Sequence, residues 1–189
     1  VGPAIDPPSA RPVTNDTDRG IRRYFWAYTD NHIIYLQDKA GDENWRVYSV
    51  NLETGEETDL TPFDNVQARI QEVSPAHPEE ILVALNRRDP QMHDIHRVNI
   101  TTGEMTLVEE NTQGFAGYVT DHDYNVRLAN RFLPDGGTEY LKKNEAGEWE
   151  TFIEVPQADT LATSILGFDA SGQTMYMLDS RERNTAALT

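Results

Sequence analysis

The stretch GDENWRVYSVNLETGEETDLTP, residues 41–62, decides the fold of this chain. Large apolar and polar residues alternate through its first half, which is typical of a strand with one buried face. The alternation breaks at Thr54-Gly55, where glycine supplies the positive φ that a tight turn needs. A short polar strand then follows. The stretch therefore predicts a β-hairpin with a loop of three to five residues.

The hairpin recurs along the chain at a nearly constant spacing. Residues 45–56 (WRVYSVNLETGE) align with residues 93–104 (HDIHRVNITTGE) at a shift of 48 residues. A further shift of 44 residues brings residues 137–148 (GTEYLKKNEAGE) into the same frame. Three copies of one hairpin indicate a repeat architecture.

Two further predicted strands precede each hairpin. The strand directly before the hairpin recurs at residues 32–39, 80–88, 125–133 and 174–182. An earlier segment, small or aromatic in composition, recurs at residues 24–28, 68–73, 114–119 and 164–168. Four strands per repeat is the signature of a β-propeller blade, whose first strand lines the central channel.

We therefore predict an all-β fold, a β-propeller fragment of four-stranded antiparallel blades with about three complete blades plus partial ones. Residues 11–16 resemble residues 59–63 and are predicted to be the outermost strand of a preceding blade. The predicted blade boundaries are 1–19 for the end of that preceding blade, 20–63, 64–111 and 112–157 for complete blades, and 158–189 for an incomplete blade. Open sheet edges at both ends predict edge-to-edge self-association and a larger parent protein.

Composition excludes several classes of function. The formal net charge of −16 argues against binding to nucleic acid or to an anionic membrane, because both draw affinity from Lys and Arg. The chain has no cysteine, which removes disulfides, thiolate metal sites and cysteine nucleophiles. Its apolar runs are too short to span a bilayer. We expect a soluble protein without cofactors, and composition leaves a cytoplasmic or periplasmic location open.

Four segments carry a resemblance to a known family, and the resemblance extends over essentially the whole chain. They are DRGIRRYFWAYTDN (18–31), DENWRVYSVNLETGE (42–56), NRRDPQMHDIHRVNITTGE (86–104) and DSRERNTAALT (179–189). The chain resembles the N-terminal β-propeller of prolyl oligopeptidase family serine peptidases, in the acylaminoacyl-peptidase-like and dipeptidyl-peptidase-like bacterial branch. The resemblance implies that an α/β-hydrolase catalytic domain with a Ser-Asp-His triad follows in the parent chain. It also implies that the propeller restricts peptide substrates by size.

The chain itself lacks the nucleophile that this resemblance implies for the parent. A nucleophile elbow needs Gly-x-Ser-x-Gly, because small residues two positions either side allow the tight strand-to-helix turn. None of the six serines has glycine at both of these positions. We therefore expect no catalysis from the chain and a serine peptidase activity from its parent. The alternative is a stand-alone propeller that acts as a binding scaffold, TolB-like or WD-repeat-like, with no enzyme attached.

Basic residues recur at the end of the second predicted strand of each blade. They would form a rim opposite the glycine turns, in an otherwise acidic protein. One interpretation is that they only solvate exposed loops; the other is that they bind the catalytic domain or the carboxylate end of a peptide. The candidate residues of this basic rim are Lys39, Arg87, Arg88, Arg131, Arg181 and Arg183.

Two other patterns are interpreted as structural. His93 and His96 invite a metal site, but strand residues three apart face opposite sides of a sheet. Paired glutamates, such as Glu79-Glu80, could serve acid–base catalysis, but they are predicted in loops and at hairpin ends, where solvated charge explains them.

Overall fold

The computed structural model describes residues 11–17 and 19–189, which fold almost entirely into β-strands. A 3₁₀ turn, Gln157–Asp159, stands before the last three strands. The strands are β1 (Arg23–Trp26), β2 (His32–Gln37), β3 (Arg46–Asn51), β4 (Glu57–Asp59), β5 (Ala68–Val73), β6 (Glu80–Asp89), β7 (Met92–Asn99), β8 (Met105–Glu109), β9 (Gly117–Thr120), β10 (Val126–Phe132), β11 (Thr138–Lys143), β12 (Trp149–Val155), β13 (Ser164–Phe168), β14 (Met175–Asp179) and β15 (Ala187–Leu188).

These strands form four antiparallel sheets in a propeller arrangement, which confirms the predicted fold class. The first three sheets have four strands each, in the orders β1-β2-β3-β4, β5-β6-β7-β8 and β9-β10-β11-β12. The fourth sheet has the order β13-β14-β15 in the described part of the chain. The first strands of the third and fourth sheets, β9 and β13, contact each other. Convergence of first strands is expected where they line a common axis.

The turns between third and fourth strands show why the repeat is visible in the sequence. The Asn51 side chain accepts hydrogen bonds from the backbone N–H groups of Glu53 and Thr54, at 2.9 and 3.1 Å. Gly55 then takes a φ of 74°. Asn99 and Gly103 repeat this arrangement in the second sheet. The third sheet uses Asn144 and Gly147 with one residue fewer between them, so its turn is one residue shorter.

The second sheet is buried on both faces by its neighbours. Strand β6 begins Glu-Ile-Leu-Val-Ala-Leu, and Ile81, Val83 and Leu85 join a core cluster with residues of the first sheet, including Ile34 and Val47. A strand that presents apolar residues on both faces reads as a continuous apolar run in the sequence.

The opposite face of β6 packs against the third sheet. Leu82 and Ala84 join a second core cluster with Phe115, Ala129 and Leu141. The hydroxyl of Tyr124, in the turn before β10, also donates a hydrogen bond to the Glu80 carbonyl at 2.7 Å. The third sheet is thus held to the second by packing and by a buried polar contact.

The outer faces of the first and last sheets expose large apolar side chains. On the first sheet these side chains lie in or directly after β1, and on the last sheet they come from β13, β14 and β15. They are Tyr24, Trp26 and Tyr28 at one end, and Leu166, Tyr176, Leu178 and Leu188 at the other. Each of these two faces lacks the neighbouring sheet that covers the faces of β6.

The predicted end of a preceding blade stays a prediction. Residues 11–16 form no strand, although they resemble the region of β4. Strand β4 forms because it pairs with β3, and no described strand lies beside residues 11–16 to pair with them. The rest of that predicted segment, residues 1–10 and residue 18, lies outside the described residues. None of the described residues forms a helix long and apolar enough to cross a membrane.

Candidate functional site

The basic rim residues lie at one end of their sheets. Arg87 and Arg88 are among the last three residues of β6, and Arg131 is the penultimate residue of β10. Lys39 follows β2, and Arg181 and Arg183 follow β14. The Gly turns join third to fourth strands, so within each antiparallel sheet they lie at the opposite end.

Arg88 is held by a buried carboxylate of its own sheet. Its Nε and Nη2 donate hydrogen bonds to Asp94 at 3.0 and 2.9 Å, and Nη2 also donates to the Asn111 carbonyl at 2.8 Å. Asp94 is only 3% exposed and accepts a further hydrogen bond from the Asn111 N–H. Burial opposes ionisation of Asp94, but the hydrogen bonds from Arg88 and Asn111 outweigh it and lower its pKa. Arg88 therefore anchors the turn after β8.

Arg131 and Arg181 are paired in the same way. Arg131 lies directly across from Glu139 in the β10–β11 ladder, and its Nε donates to that carboxylate at 2.6 Å. The Thr151 hydroxyl also donates to Glu139, and this bond is the main reason that the pKa of Glu139 is lowered. Arg181 donates to both oxygens of Asp179 at 2.9 and 2.8 Å, which lowers the pKa of Asp179 to about 2.

The other three rim residues have no such carboxylate. Arg87 lies over the Phe63 ring, with its Cζ 4.0 Å from the ring centroid. Lys39 and Arg183 are exposed, and neither makes an ion pair with any described residue. The free positive charge of the basic rim is therefore concentrated on Lys39, Arg87 and Arg183.

The histidine pattern does not assemble ligands for a metal. Residues 11–17 and 19–189 contain no group of three or more His, Asp or Glu side chains placed to hold a metal ion. Burial lowers the pKa of His93 to about 4, so its imidazole is neutral at neutral pH. Of the glutamate pair Glu79-Glu80, Glu80 forms an ion pair with Arg97, which leaves no paired carboxylates for acid–base work there.

A cleft that the sequence analysis missed separates the first two sheets. It has a volume of about 450 Å³ and lies at the end of the sheets where β1 and β5 begin, which is also the end of the basic rim. The residues that line it are Arg22, Arg23, Leu36, Trp45, Gln67, Ala68, Arg69 and Ile70. We call it the arginine cleft.

The side chains of the arginine cleft are fixed by local contacts. The Arg22 Cζ lies 4.8 Å from the centroid of the Trp45 ring. The Gln67 Oε1 accepts hydrogen bonds from Nε and Nη2 of Arg69, at 3.0 and 2.7 Å. The Gln67 amide donates to the Glu43 carbonyl at 3.3 Å, which ties the two sheets together across the cleft. The sequence signal for the cleft is the pair Arg22-Arg23 at the start of one first strand and Arg69 near the start of the next.

Comparison with known proteins finds two long peptidases among the sequence relatives of the chain. The chain is 48% identical over 188 residues to dipeptidyl aminopeptidase BIII of Pseudoxanthomonas mexicana, and the match covers 100% of this chain and 27% of that protein. It is 29% identical over 184 residues to dipeptidyl peptidase family member 6 of Caenorhabditis elegans, covering 89% of this chain and 25% of that protein. The chain thus spans about a quarter of the length of these relatives. No protein-family model matches it.

Two solved structures are similar at lower levels of identity. TolB from Acinetobacter baumannii superposes with a TM-score of 0.47 and 11% identity, over 88% of this chain and 41% of that one. A chain from a structural and mechanistic study of two prolyl endopeptidases superposes with a TM-score of 0.47 and 13% identity, over 85% of this chain and 26% of that one.

The Asp179–Arg181 pair predicts a dependence of stability on pH. The folded-state pKa of Asp179 is about 2, below its ordinary value of 3.8, so its ionisation stabilises the fold above the ordinary value. This contribution is lost as pH falls through about 2. We expect Asp179→Asn to lower the melting temperature at neutral pH, and we expect that effect to shrink as pH falls from 3.8 to about 2.

The matched control is Glu145→Gln, in the exposed turn before Gly147. Melting temperatures measured by circular dichroism across this pH range check the prediction. An Asp179→Asn effect that stays constant down to the lowest pH would contradict it.

Proposed function

Because this chain belongs to the β-propeller part of the prolyl oligopeptidase family, we propose that it is the non-catalytic propeller of a serine peptidase. In this role it limits which peptides reach a catalytic domain elsewhere in the same parent chain. The observation that carries the proposal is the 48% identity, along the whole chain, to about a quarter of a dipeptidyl aminopeptidase.

The absence of a nucleophile elbow supports a parent protein in which the propeller and the catalytic residues belong to different domains. None of the six serines of the chain has the flanking glycines that an elbow requires. The two relatives are each about four times longer than their match, which leaves ample length for a catalytic domain. The proposed partner is therefore an α/β-hydrolase domain of the same parent, and the proposed substrates of that parent are peptides.

The packing of the sheets supports selection by size. The second sheet is held on both faces by apolar clusters, and interiors packed in this way resist deformation. A ring of such sheets surrounds a central channel, and we expect that channel to admit extended peptides and to exclude folded chains. First strands such as β9 and β13 would line that opening.

The basic rim is proposed as the surface that faces the catalytic domain or incoming peptide. Of the six rim residues, Lys39, Arg87 and Arg183 carry the positive charge that no carboxylate pairs with. Because the net charge of the chain is −16, these residues form a local region of positive charge on an otherwise negative protein. Arg88, Arg131 and Arg181 support this surface by fixing its loops through their carboxylate partners.

Active-site labelling of the full-length parent tests the proposed function. We expect a fluorophosphonate, which reacts with activated serines, to modify one serine in a Gly-x-Ser-x-Gly turn outside this chain. Peptide mapping by mass spectrometry locates the modified residue. Short peptides should slow the labelling, whereas a folded protein that carries the same N-terminal sequence should not.

Three results would contradict the proposal. Labelling of a serine within residues 1–189 would place catalysis in this chain. Absence of any labelled serine would favour a stand-alone binding scaffold. Equal protection by short peptides and by the folded protein would refute selection by size.

The uncovered faces of the outer sheets generate a second prediction, for the chain produced alone. Tyr176, Leu178 and Leu188 form an exposed apolar face that further blades of the parent would cover. We expect the isolated chain to self-associate through such faces and open edges, as measured by sedimentation velocity over a range of concentrations. Leu178→Glu should reduce the association, and Leu107→Glu, at an exposed position on β8, is the matched control. A monomer at every concentration would contradict the prediction.

A further inference from the structure

We propose that the arginine cleft is a binding site for a carboxylate group of a peptide. The site consists of Arg22, Arg23 and Arg69, with Trp45 as an aromatic wall. It lies outside the set of rim residues that the sequence pattern predicts. The inference rests on the proposed function only in naming a peptide as the source of the carboxylate.

The concentration of unpaired positive charge is the first argument. The three guanidinium groups line one cleft of about 450 Å³. Within residues 11–17 and 19–189, none of them forms an ion pair with a carboxylate. The chain has 32 acidic and 16 basic residues. Three arginines without a carboxylate partner around one cleft are therefore unexpected in a chain with twice as many acidic as basic residues.

A second cleft in the same fold supplies the contrast. It lies between the third and fourth sheets, has a volume of about 330 Å³, and contains Arg127, Lys142 and Lys143. There each cation has a carboxylate partner of the protein: Arg127 pairs with Asp121 at 2.9 Å, Lys142 with Glu150 at 3.5 Å, and Lys143 with Glu109 at 2.6 Å. The arginine cleft lacks these internal partners, so its cations remain available for an external anion.

The chemistry of the lining selects a carboxylate on a peptide. Guanidinium groups donate paired N–H groups that match the two oxygens of a carboxylate. The same cleft presents the Trp45 ring and the apolar side chains of Leu36 and Ile70. A ligand with a carboxylate next to an apolar side chain would satisfy both parts of the surface. A peptide that ends in a free α-carboxylate, or that carries Glu or Asp, has this composition.

The position of the cleft suits a ligand near the axial opening. Arg23 is the first residue of β1 and Arg69 is the second residue of β5, and both are the first strands of their sheets. A peptide held there would have one end fixed at the basic-rim end of the sheets. The propeller would then select peptides by charge as well as by size.

The test uses the full-length parent after its reactive serine has been blocked, so that no ligand is consumed. Isothermal titration calorimetry compares N-acetyl-Phe-Glu, which has two carboxylates, with N-acetyl-Phe-Gln-amide, which has none. We expect the acidic peptide to bind at least about five-fold more tightly, and we expect this preference to weaken as salt rises. Arg22→Gln, Arg23→Gln and Arg69→Gln should each weaken binding of the acidic peptide by about two- to five-fold.

The matched control is Lys142→Gln, which removes one positive charge from the second cleft. It should leave binding of the acidic peptide unchanged. Equal affinities for the two peptides, or an equal loss in the Lys142→Gln variant, would overturn the inference. Melting temperatures of the variants establish that each is folded, and three separate arginine variants keep the test decisive if one does not fold.

If no serine can be labelled, the titration runs on the untreated protein, so failure of the proposed function and failure of the carboxylate site are separate results.

Discussion

The burial of β6 on both of its faces is the constraint on which the rest of the structure depends. Leu82 and Val83 are adjacent in sequence, are both fully buried, and belong to different core clusters. Complete burial of side chains of this size contributes roughly 1.5–3 kcal/mol each. Neither cluster can form without β6, so the first and third sheets are both held through the second.

This dependence explains where the candidate sites lie. Clefts remain at the sheet ends, at the border of the clusters, and the arginine cleft is one of them, since Ala68 of the first cluster lines it. Rim arginines such as Arg88 are fixed by buried carboxylates, so the loops that carry them are positioned by the same sheets. The propeller thus presents charge at positions that its sheets fix.

Much of the fold could be predicted from the sequence, because the repeat depends on residues that are close together in the chain. Asn99 and Gly103 copy Asn51 and Gly55, since each turn needs a side-chain acceptor and a residue that tolerates positive φ. The strand predicted at residues 11–16 stays a prediction, because strand formation also needs a pairing partner, which a local resemblance does not reveal and no described strand supplies.

The candidate sites were less visible, because they depend on distances between chain segments. The pairing of Arg131 with Glu139 follows from the strand register, which the sequence alone does not specify. The pairing of Arg88 with Asp94 further depends on an irregularity of register in the β6–β7 ladder. The arginine cleft depends on how closely two sheets approach each other, so Arg69 could not be placed beside Arg22 and Arg23 beforehand.

Amide hydrogen exchange, followed by mass spectrometry of the folded parent, tests most directly whether two-sided burial holds these sheets together. The exchange of β6 and β7 should be the slowest in this region, because opening them disrupts both core clusters. In a Leu82→Ala variant, exchange should accelerate in the second and third sheets together, while the same truncation at exposed Leu107 leaves it unchanged. Acceleration confined to β6 itself, with the third sheet as protected as before, would contradict the account.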